Sequence, residues 1–424
     1  MKKTFIFFIS IMMVFGILAG CSKGTSGASE KKKVETIRIV AANHPWTEAI
    51  KKQLPEFEKK TGIKVKLDSY FEDQLTQKTS VEFASNSKNI DVVMFSPLQN
   101  GRMFYGNGYF TDLEKYAAKE QGFTDDFYSS SLIKSEKDKL YGIPLVIETQ
   151  VLYYRKDILE AAGLKPPTTM EELKEQAEKL SDPNKDLYGF VSRGKRASAV
   201  SQFSSFLYSF GGDYMKDGKS AINSPEALKA FEYYGGLLKD YGPPGTLNMS
   251  WPEAMGVFTQ GKAVFFPEAS SLYTNATDKT KSSISDKVGF APFPAGPAGS
   301  KPYSVTAWGI GIGANSEKKD AAWDFIKWAT SKEVVAKLQT EGITGARKSV
   351  WDSPEVNKAY PEDLVEAMKV NNEKGIPTTI PLITHVGEAR DVIGDVIITA
   401  INGEDVKKAA KKADEEFNKI IEME

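Results

Sequence analysis

Residues 36–95 alternate short apolar runs with amphipathic segments. Three of the runs have the composition of β-strands: TIRIVAA at 36–42, IKVKL at 63–67 and DVVMF at 91–95. A helical segment with Ile50, Leu54 and Phe57 on one face follows the first strand, and a second, 74–84, follows the next. Strand, helix, strand, helix, strand is the pattern of an open parallel sheet with helices on both faces, so we assign the chain to the α/β class.

The ends of these three strands carry polar and aromatic residues. They are Asn43, His44 and Trp46 after the first strand, Ser69, Tyr70 and Phe71 after the second, and Ser96 after the third. In open sheets of this kind, ligands bind beyond the carboxyl ends of the strands. We therefore expect these residues to form the rim of a binding site.

The size and composition of the chain limit what it can be. It has 424 residues, with 55 Lys and Arg against 56 Asp and Glu, two histidines and one cysteine. This length is too great for one compact core, so we expect two lobes. Charges of both signs are interspersed without a basic stripe, which argues against nucleic-acid binding. The distant histidines and the lone cysteine offer no zinc site or catalytic nucleophile, and we predict neither a metal nor a cofactor.

The N-terminal segment 1–20 has two lysines, an apolar run too short to span a bilayer permanently, and small residues before Cys21. Its end, LAGC at 18–21, resembles a bacterial lipobox. The resemblance implies cleavage of a signal peptide (1–20), a lipid on Cys21, and anchoring at the outer face of the cell membrane, which is the periplasmic side in a Gram-negative cell. Residues 21–34 are predicted to be a flexible linker. The alternative is an ordinary secretory signal followed by a free thiol.

The rest of the chain continues as strands and helices. The predicted strands cover 148–154, 264–266 and 304–314, and the predicted helices cover 157–162, 201–210, 224–240, 250–259 and 319–331, with a further helix capped by Thr169. DPNKD at 182–186 begins like a calcium loop but lacks its glycine and final glutamate, so we interpret it as a turn. GIGIG at 309–313 lies inside a predicted strand, which argues against a nucleotide-binding loop.

Three motifs are similar to those of the extracellular solute-binding proteins of ABC sugar importers: LPEFEKKTGIKV at 54–65, FTQGKA at 258–263 and AAWDFIKW at 321–328. The chain most resembles the branch that takes up sugars and sugar alcohols, through ETQ at 148–150, GPPG at 242–245, EAS at 268–270, Trp308 and GARKSV at 345–350. It departs from that branch at Glu268 (often aspartate), Gln150 (often serine), Gly345 (often proline) and the HPW segment at 44–46.

The resemblance implies a periplasmic-binding-protein-like fold of type II, in which a hinge of crossing strands joins two doubly wound lobes around a ligand cleft. Lobe I is predicted to comprise 35–149 and 304–345, and lobe II 150–303 and 346–424. The implied function is capture of a sugar, oligosaccharide or sugar alcohol by a protein that is not an enzyme. The captured solute would pass to the permease subunits of an ABC transporter, and we expect the binding protein to be a monomer.

Residue chemistry independently favours a sugar-like solute, because aromatic rings cover its C–H faces while carboxylates, amides and arginine bind its hydroxyls. The predicted ligand-binding residues are Asn43, His44, Trp46, Tyr70, Phe71, Ser96, Glu148, Trp251, Glu268, Trp308 and Arg347. Each has a structural alternative: core packing for an aromatic ring, a helix cap for His44, and a salt bridge between lobes for Arg347. Trp323 and Trp328 are interpreted as packing residues of an amphipathic helix.

A glycoside hydrolase anchored at the cell surface is the alternative function, with Glu148 and Glu268 as its pair of carboxylates. The sequence alone does not give the distance between these groups. A hydrolase would release products from a glycan, whereas a binding protein would only gain thermal stability with its ligand. A pure adhesion protein, the third alternative, would show no thermal shift with small molecules.

Overall fold

The structure is a computed structural model that describes residues 35–128, 133–134 and 139–424. The predicted signal peptide, Cys21 and the predicted linker therefore lie outside the described residues. None of the described helices combines the length and the apolar character that crossing a membrane requires.

The described strands form one large mixed sheet and one small hairpin. In chain order they are β1 (Thr36–Ala42), β2 (Lys64–Tyr70), β3 (Val92–Phe95), β4 (Ile143–Arg155), β5 (Tyr188–Phe190), β6 (Met215–Lys216), β7 (Lys219–Ser220), β8 (Ala263–Ala269), β9 (Val288–Ala291) and β10 (Ser304–Ile312). The large sheet has the order β2-β1-β3-β10-β4-β8-β5, with β9 also paired to β4, and β6 pairs with β7. β1 is parallel to β2 and β3, as predicted, while β10 lies antiparallel beside β3.

Helices cover the large sheet. In chain order they are α1 (Pro45–Thr61), α2 (Glu72–Ala84), α3 (Arg102–Gly106), α4 (Glu114–Ala117), α5 (Lys156–Ala161), α6 (Met170–Leu180), α7 (Arg196–Ser209), α8 (Pro225–Tyr241), α9 (Trp251–Thr259), α10 (Tyr273–Thr277), α11 (Lys319–Ala329), α12 (Lys332–Thr340), α13 (Lys348–Trp351), α14 (Pro354–Asn357), α15 (Glu362–Lys374), α16 (Val386–Asn402) and α17 (Val406–Ile421). α7 begins at Arg196, before the predicted residue 201, and Arg196 forms ion pairs with Asp391 and Asp395 of α16.

Local sequence accounts for several helix ends. His44 caps α1 by accepting a hydrogen bond from the backbone N–H of Trp46. The same helix ends at Gly62, whose φ of 76° lies in the left-handed region that favours glycine. The predicted cap Thr169 starts α6 with a reciprocal capping box to Glu172.

Three chain segments connect two parts of the molecule: β4, β10 and the segment that contains Thr344. The first half of β4 pairs with β10, with Thr149 opposite Ser304, and its second half pairs with β8 and β9. The third segment runs beside β4, where Ile147 N donates to Thr344 O at 2.9 Å. One apolar core surrounds β1–β3 and α11, and further cores surround the second half of β4. The fold therefore has two lobes joined by crossing segments.

The two motifs with alternative interpretations are structural. GIGIG lies in and directly after β10, where a Cβ on Gly311 would lie 2.8 Å from Tyr141 O and one on Gly313 would lie 2.4 Å from Ile90 O. These glycines allow neighbouring backbone to approach closely. The DPNKD segment forms a short turn between α6 and β5, as predicted. Trp323 and Trp328 are buried in α11 and pack in a core, also as predicted.

Candidate ligand-binding cleft

A cleft of about 760 Å³, including its opening to solvent, lies beyond the carboxyl ends of β1 and β3. Its opposite wall comes from residues that follow β5 and β8 and from the first turn of α9. Seven of the predicted residues line it: Asn43, His44, Phe71, Ser96, Glu148, Trp251 and Trp308.

Aromatic rings line the cleft on both walls. Trp308 is only 8 % exposed, Trp251 is half-buried, and Phe71 is exposed. The pairing of β10 with β4 shifts register on both sides of Trp308. Such bulges redirect individual side chains and are frequent beside functional sites. The Trp308 ring lies 6.0 Å from the His44 ring, centroid to centroid.

His44 uses its two ring nitrogens differently. Nδ1 accepts a hydrogen bond from Trp46 N at 3.1 Å, so the proton of the neutral ring is on Nε2. Nε2 is buried and has no hydrogen-bond partner in the described part of the chain. Burial lowers the pKa of His44 to about 3, which keeps the ring neutral at physiological pH. The residue is therefore a helix cap that also holds an unused donor at the cleft.

The carboxyl group of Glu148 faces that donor. Its Oε1 lies 3.9 Å from His44 Nε2, too far for a hydrogen bond, and accepts one from Ser271 Oγ at 2.6 Å. Among the described residues, none donates a hydrogen bond to Oε2. Burial raises the pKa of Glu148 to about 7, although the hydrogen bond from Ser271 favours ionisation. Near neutral pH, this carboxyl group is therefore both an acceptor and a donor.

Arg193 and Glu268 form the second polar pair. Arg193 Nε and Nη2 donate to Glu268 Oε2 and Oε1 at 2.9 and 2.6 Å. Oε1 also accepts hydrogen bonds from Ala269 N at 2.8 Å and from the Gln202 side chain. Burial opposes the charged guanidinium, but Glu268 more than compensates and raises the pKa of Arg193. Arg193 therefore brings a permanent positive charge to the cleft, while Glu268 is fully buried behind it.

The structure does not bring Trp46, Tyr70 or Arg347 to the cleft. Trp46 is buried in the first turn of α1, where it packs in the core around β1–β3. Tyr70 ends β2, and its ring is covered by the ammonium group of Lys78, 4.9 Å from the ring centroid. Tyr70 contributes instead through its backbone, since its carbonyl accepts a hydrogen bond from Asn43 N at 2.7 Å.

Arg347 lies elsewhere because its guanidinium is already engaged. Nη1 donates to Asp126 Oδ2 at 2.9 Å, and Nε donates to the carbonyl of Thr330. The guanidinium carbon also lies 4.4 Å from the centroid of the Phe127 ring. The structure therefore gives Arg347 a salt bridge and a packing role in place of the predicted contact with solute.

Several cleft residues are absent from the predicted set: Arg193, Gln99, Gln202, Tyr303 and Thr379. For Arg193 a signal exists in the sequence, because it follows the apolar run YGFV at 188–191, which contains β5. Gln202 lies inside α7, where no local pattern distinguishes it from a packing residue. In the part of the chain that the structure describes, no cluster of three His, Cys, Asp or Glu side chains could hold a metal ion.

The family model of the bacterial extracellular solute-binding proteins matches residues 43–336. The chain therefore belongs to the bacterial extracellular solute-binding protein family. The mannitol-binding protein of Pseudomonas aeruginosa is 28% identical over 272 residues, an alignment that covers 62% of this chain and 61% of that protein. The erythritol/L-threitol-binding protein of Mycolicibacterium smegmatis is 26% identical over 363 residues, covering 79% of this chain and 75% of that protein.

Solved structures of such proteins have the same architecture. The ABC transporter solute-binding protein of Agrobacterium radiobacter in complex with ribitol has a TM-score of 0.82 at 29% identity, covering 91% of this chain and 98% of that one. Its counterpart from Agrobacterium vitis with bound D-mannitol has a TM-score of 0.80 at 28% identity, covering 92% and 99%. Maltose-bound T. maritima MalE3 has a TM-score of 0.81 at 27% identity, covering 91% and 99%. The predicted type II fold with two lobes is confirmed.

The prediction that the chain is not an enzyme is also confirmed, because the relatives and the structural neighbours are substrate-binding proteins of transporters. The hydrolase alternative finds no support among them. The geometry also opposes it, since both carboxylate oxygens of Glu268 accept hydrogen bonds from Arg193 and the side chain is fully buried. Glu268 is therefore not placed to act as a nucleophile or a base.

Proposed function

We propose that this protein captures a sugar or a sugar alcohol in the cleft and delivers it to the permease of an ABC importer. The observation that carries the proposal is a cleft that combines the rings of Trp308 and Trp251 with polar groups of His44, Glu148 and Arg193. Relatives named for mannitol and erythritol, and structural neighbours with bound ribitol and D-mannitol, support the same solute class.

Each part of this cleft matches a feature of a polyhydroxylated solute. Indole rings cover weakly polar C–H faces and gain from excluding water. The guanidinium of Arg193 presents donors in a fixed fork, which suits neighbouring hydroxyl oxygens. Because Glu268 already neutralises most of its charge, Arg193 suits a neutral polyol better than an acidic solute. Uncharged sugars and sugar alcohols are therefore the proposed solutes.

The proposed motion is a hinged closure of lobe I (35–149 and 304–345) on lobe II (150–303 and 346–424). The crossing segments support this division, because each runs from one apolar core to another. Contacts between the two sets of residues are present, with Arg390 Nη1 donating to Gln99 Oε1 at 3.1 Å. A solute that contacts both walls favours the closed form, which a permease can distinguish from the open one.

We further propose that Cys21 carries a lipid that holds the protein at the outer face of the cell membrane. Membership of a family of extracellular proteins supports export, and the LAGC segment at 18–21 supports lipidation. Growth of the host with a palmitate analogue should label the wild-type protein and leave a Cys21→Ser variant unlabelled. Equal labelling of both proteins would refute the anchor.

The proposed binding function is tested by titrating the purified full chain in a calorimeter with ribitol, D-mannitol, erythritol and maltose, with L-leucine as a solute of another class. At least one sugar or sugar alcohol should bind saturably and raise the melting temperature, because it binds only the folded state. Trp308→Ala should weaken this binding. Trp351→Ala serves as the matched control, since Trp351 is a half-buried tryptophan outside the cleft.

Two results would refute the proposal. One is the absence of binding by every sugar and sugar alcohol of the panel to a protein that unfolds cooperatively. The other is the appearance of hydrolysis products when the protein is incubated with maltose.

A further inference from the structure

We propose that His44 and Glu148 together recognise one particular hydroxyl group of the solute, whose oxygen bridges His44 Nε2 and the Glu148 carboxyl group. The hydroxyl oxygen accepts a hydrogen bond from Nε2–H and donates its own proton to Glu148. This inference rests on the proposed function, because it requires a polyhydroxylated solute in the cleft. It assigns the two residues a specific task in choosing among such solutes.

The distance between the two groups fits a bridging oxygen. His44 Nε2 and Glu148 Oε1 are 3.9 Å apart. An oxygen at a normal hydrogen-bond distance of about 2.8 Å from both atoms spans this gap as the apex of a triangle. A hydroxyl group suits the position because its single oxygen both accepts and donates a hydrogen bond.

The donor is fixed in place by its other nitrogen. The hydrogen bond from Trp46 N to Nδ1 determines that the ring proton is on Nε2 and orients the ring at the start of α1. Burial keeps the ring neutral, so Nε2 remains a donor with no competing acceptor role. His44 therefore presents one directed N–H to the cleft.

The unused donor distinguishes this residue from an ordinary core histidine. His44 is 6 % exposed, and Nε2 has no partner among the described residues. The chain's other histidine, His385, is half-buried, and its Nδ1 lies 3.0 Å from Glu424 Oε1. A buried N–H without an acceptor carries a free-energy penalty. A solute hydroxyl that accepts a hydrogen bond from Nε2–H removes that penalty.

The pair selects by chemistry as well as by position. A deoxy analogue supplies nothing at the bridge. At pH 8, where Glu148 is mostly ionised, a methyl ether accepts from His44 but has no proton for Glu148. An ammonium group has no lone pair to accept from Nε2–H. The site therefore requires a free hydroxyl at one position of the solute and rejects the analogues that lack it.

The experiment compares ribitol and D-mannitol with their monodeoxy analogues in calorimetric titrations at pH 8. The key variant is His44→Asn, because asparagine is a good helix cap but its amide is too short to place a donor at the Nε2 position. The matched control is His385→Asn, which removes the other histidine at a site away from the cleft. Melting temperatures of all proteins are recorded alongside.

In the wild type, removal of one particular hydroxyl should weaken binding about 10- to 100-fold, as expected for a hydrogen bond to a charged group. His44→Asn should weaken binding of the parent polyol by a similar factor and should make loss of that same hydroxyl nearly neutral. His385→Asn should behave as the wild type. Glu148→Gln keeps an acceptor oxygen at the bridge and should retain part of the discrimination, which provides a second variant if His44→Asn does not fold.

An equal penalty for every deoxy analogue in the wild type and in His44→Asn would overturn this inference and leave the proposed function standing. The same conclusion follows if no single hydroxyl matters in the wild type. Failure of the wild type to bind any sugar or sugar alcohol would overturn both.

Discussion

Two polar pairs belong to the same cleft and differ in how completely they are hydrogen-bonded. Glu268 accepts two hydrogen bonds from Arg193 and further ones from Gln202 and the backbone of Ala269. At the other pair, the donor of His44 and the carboxyl group of Glu148 remain 3.9 Å apart. The Glu268 carboxylate is therefore saturated within the protein, whereas His44 and Glu148 form an unsaturated pair.

We therefore assign Glu268 to the support of the cleft wall, and the pair of His44 and Glu148 to recognition of the solute. A buried charge is tolerated only when its partner and its hydrogen bonds are in place, and the Glu268 carboxylate meets both conditions. A buried group left unpaired is unfavourable and therefore unusual in a core. The protein maintains such a group at His44, on a wall of the cleft, where a solute can supply the missing partner. The following predictions separate these two roles.

The largest effect is expected from Glu268→Ala, which removes the partner of a buried guanidinium. The variant should lose about 3–5 kcal/mol of unfolding free energy, as is typical when one member of a buried pair is deleted. Urea unfolding followed by circular dichroism measures the loss. The control is Glu317→Ala, which breaks an exposed pair with Lys88 and should have little effect. Equal stability of Glu268→Ala and the wild type would show that Arg193 does not depend on this carboxylate.

The second prediction concerns pH, because the two members of the unsaturated pair have pKa values shifted in opposite directions. The pKa of Glu148 is raised from 4.5 to about 7, so between these values the folded state keeps a proton that the unfolded state releases, and stability falls as the pH rises. The pKa of His44 is lowered from 6.5 to about 3, so the unfolded state binds the extra proton, and stability falls as the pH decreases. Between pH 4.5 and 6.5 the two contributions cancel in the wild type.

Single variants should reveal how the unfolding free energy depends on pH through each group alone. A tenfold difference in proton affinity corresponds to about 1.4 kcal/mol, so each group alone should change stability by about 2 kcal/mol between pH 4.5 and 6.5. Relative to the wild type, Glu148→Gln should gain stability as the pH rises, and His44→Asn should lose it. The double variant, compared in the same urea titrations, should parallel the wild type. Slopes of the same sign in the two single variants would contradict the assignment.

The fold was accessible from sequence because its signals are local. Residues 36–95 show strand and helix periodicity within short windows, and the structure contains the three parallel strands and two helices at these places. The cap at Thr169 and the turn at 182–186 depend on neighbouring residues and are also present as predicted. The direction of β10 depends on pairing with β3, far away in the chain, and only the structure shows it.

The cleft was only partly accessible for the same reason. Residues that directly follow a strand, such as Asn43 and Ser96, line the cleft because topology places strand ends together, whereas Glu148 and Trp308 reach it from the middle of β4 and β10. Arg347 lies elsewhere since its partner Asp126 is 221 residues away, and no local pattern indicates that pairing. The sequence presented a helix cap and a binding residue as alternatives for His44. The structure uses Nδ1 for the cap and gives Nε2 no partner among the residues that it describes.

The third prediction tests whether closure of the two walls contributes to affinity. Arg390 of α16 donates to Gln99 Oε1, and Gln99 Nε2 donates to Glu72 Oε1 at 2.5 Å, which links the wall of the unsaturated pair to α16. Arg390→Ala should destabilise the closed form and weaken polyol binding by up to about tenfold, the value of a single hydrogen bond. Calorimetry measures the change, with Arg196→Ala as the control, since Arg196 forms its ion pairs within lobe II as proposed. Equal affinity in both variants would remove the Arg390 contact from the binding equilibrium.

The smallest effect separates the two nitrogens of His44. His44→Ala should lose both the cap and the donor, whereas His44→Asn should lose only the donor, because asparagine still accepts a hydrogen bond from Trp46 N. At pH 7 the alanine variant should therefore be less stable than the asparagine variant by about 1 kcal/mol, the usual contribution of a cap. The two variants should nevertheless bind polyol equally weakly, since neither presents a donor at the Nε2 position. If affinity instead followed stability across the two variants, the cap would be the whole contribution of His44. His44 would then not differ in role from the saturated Glu268 carboxylate.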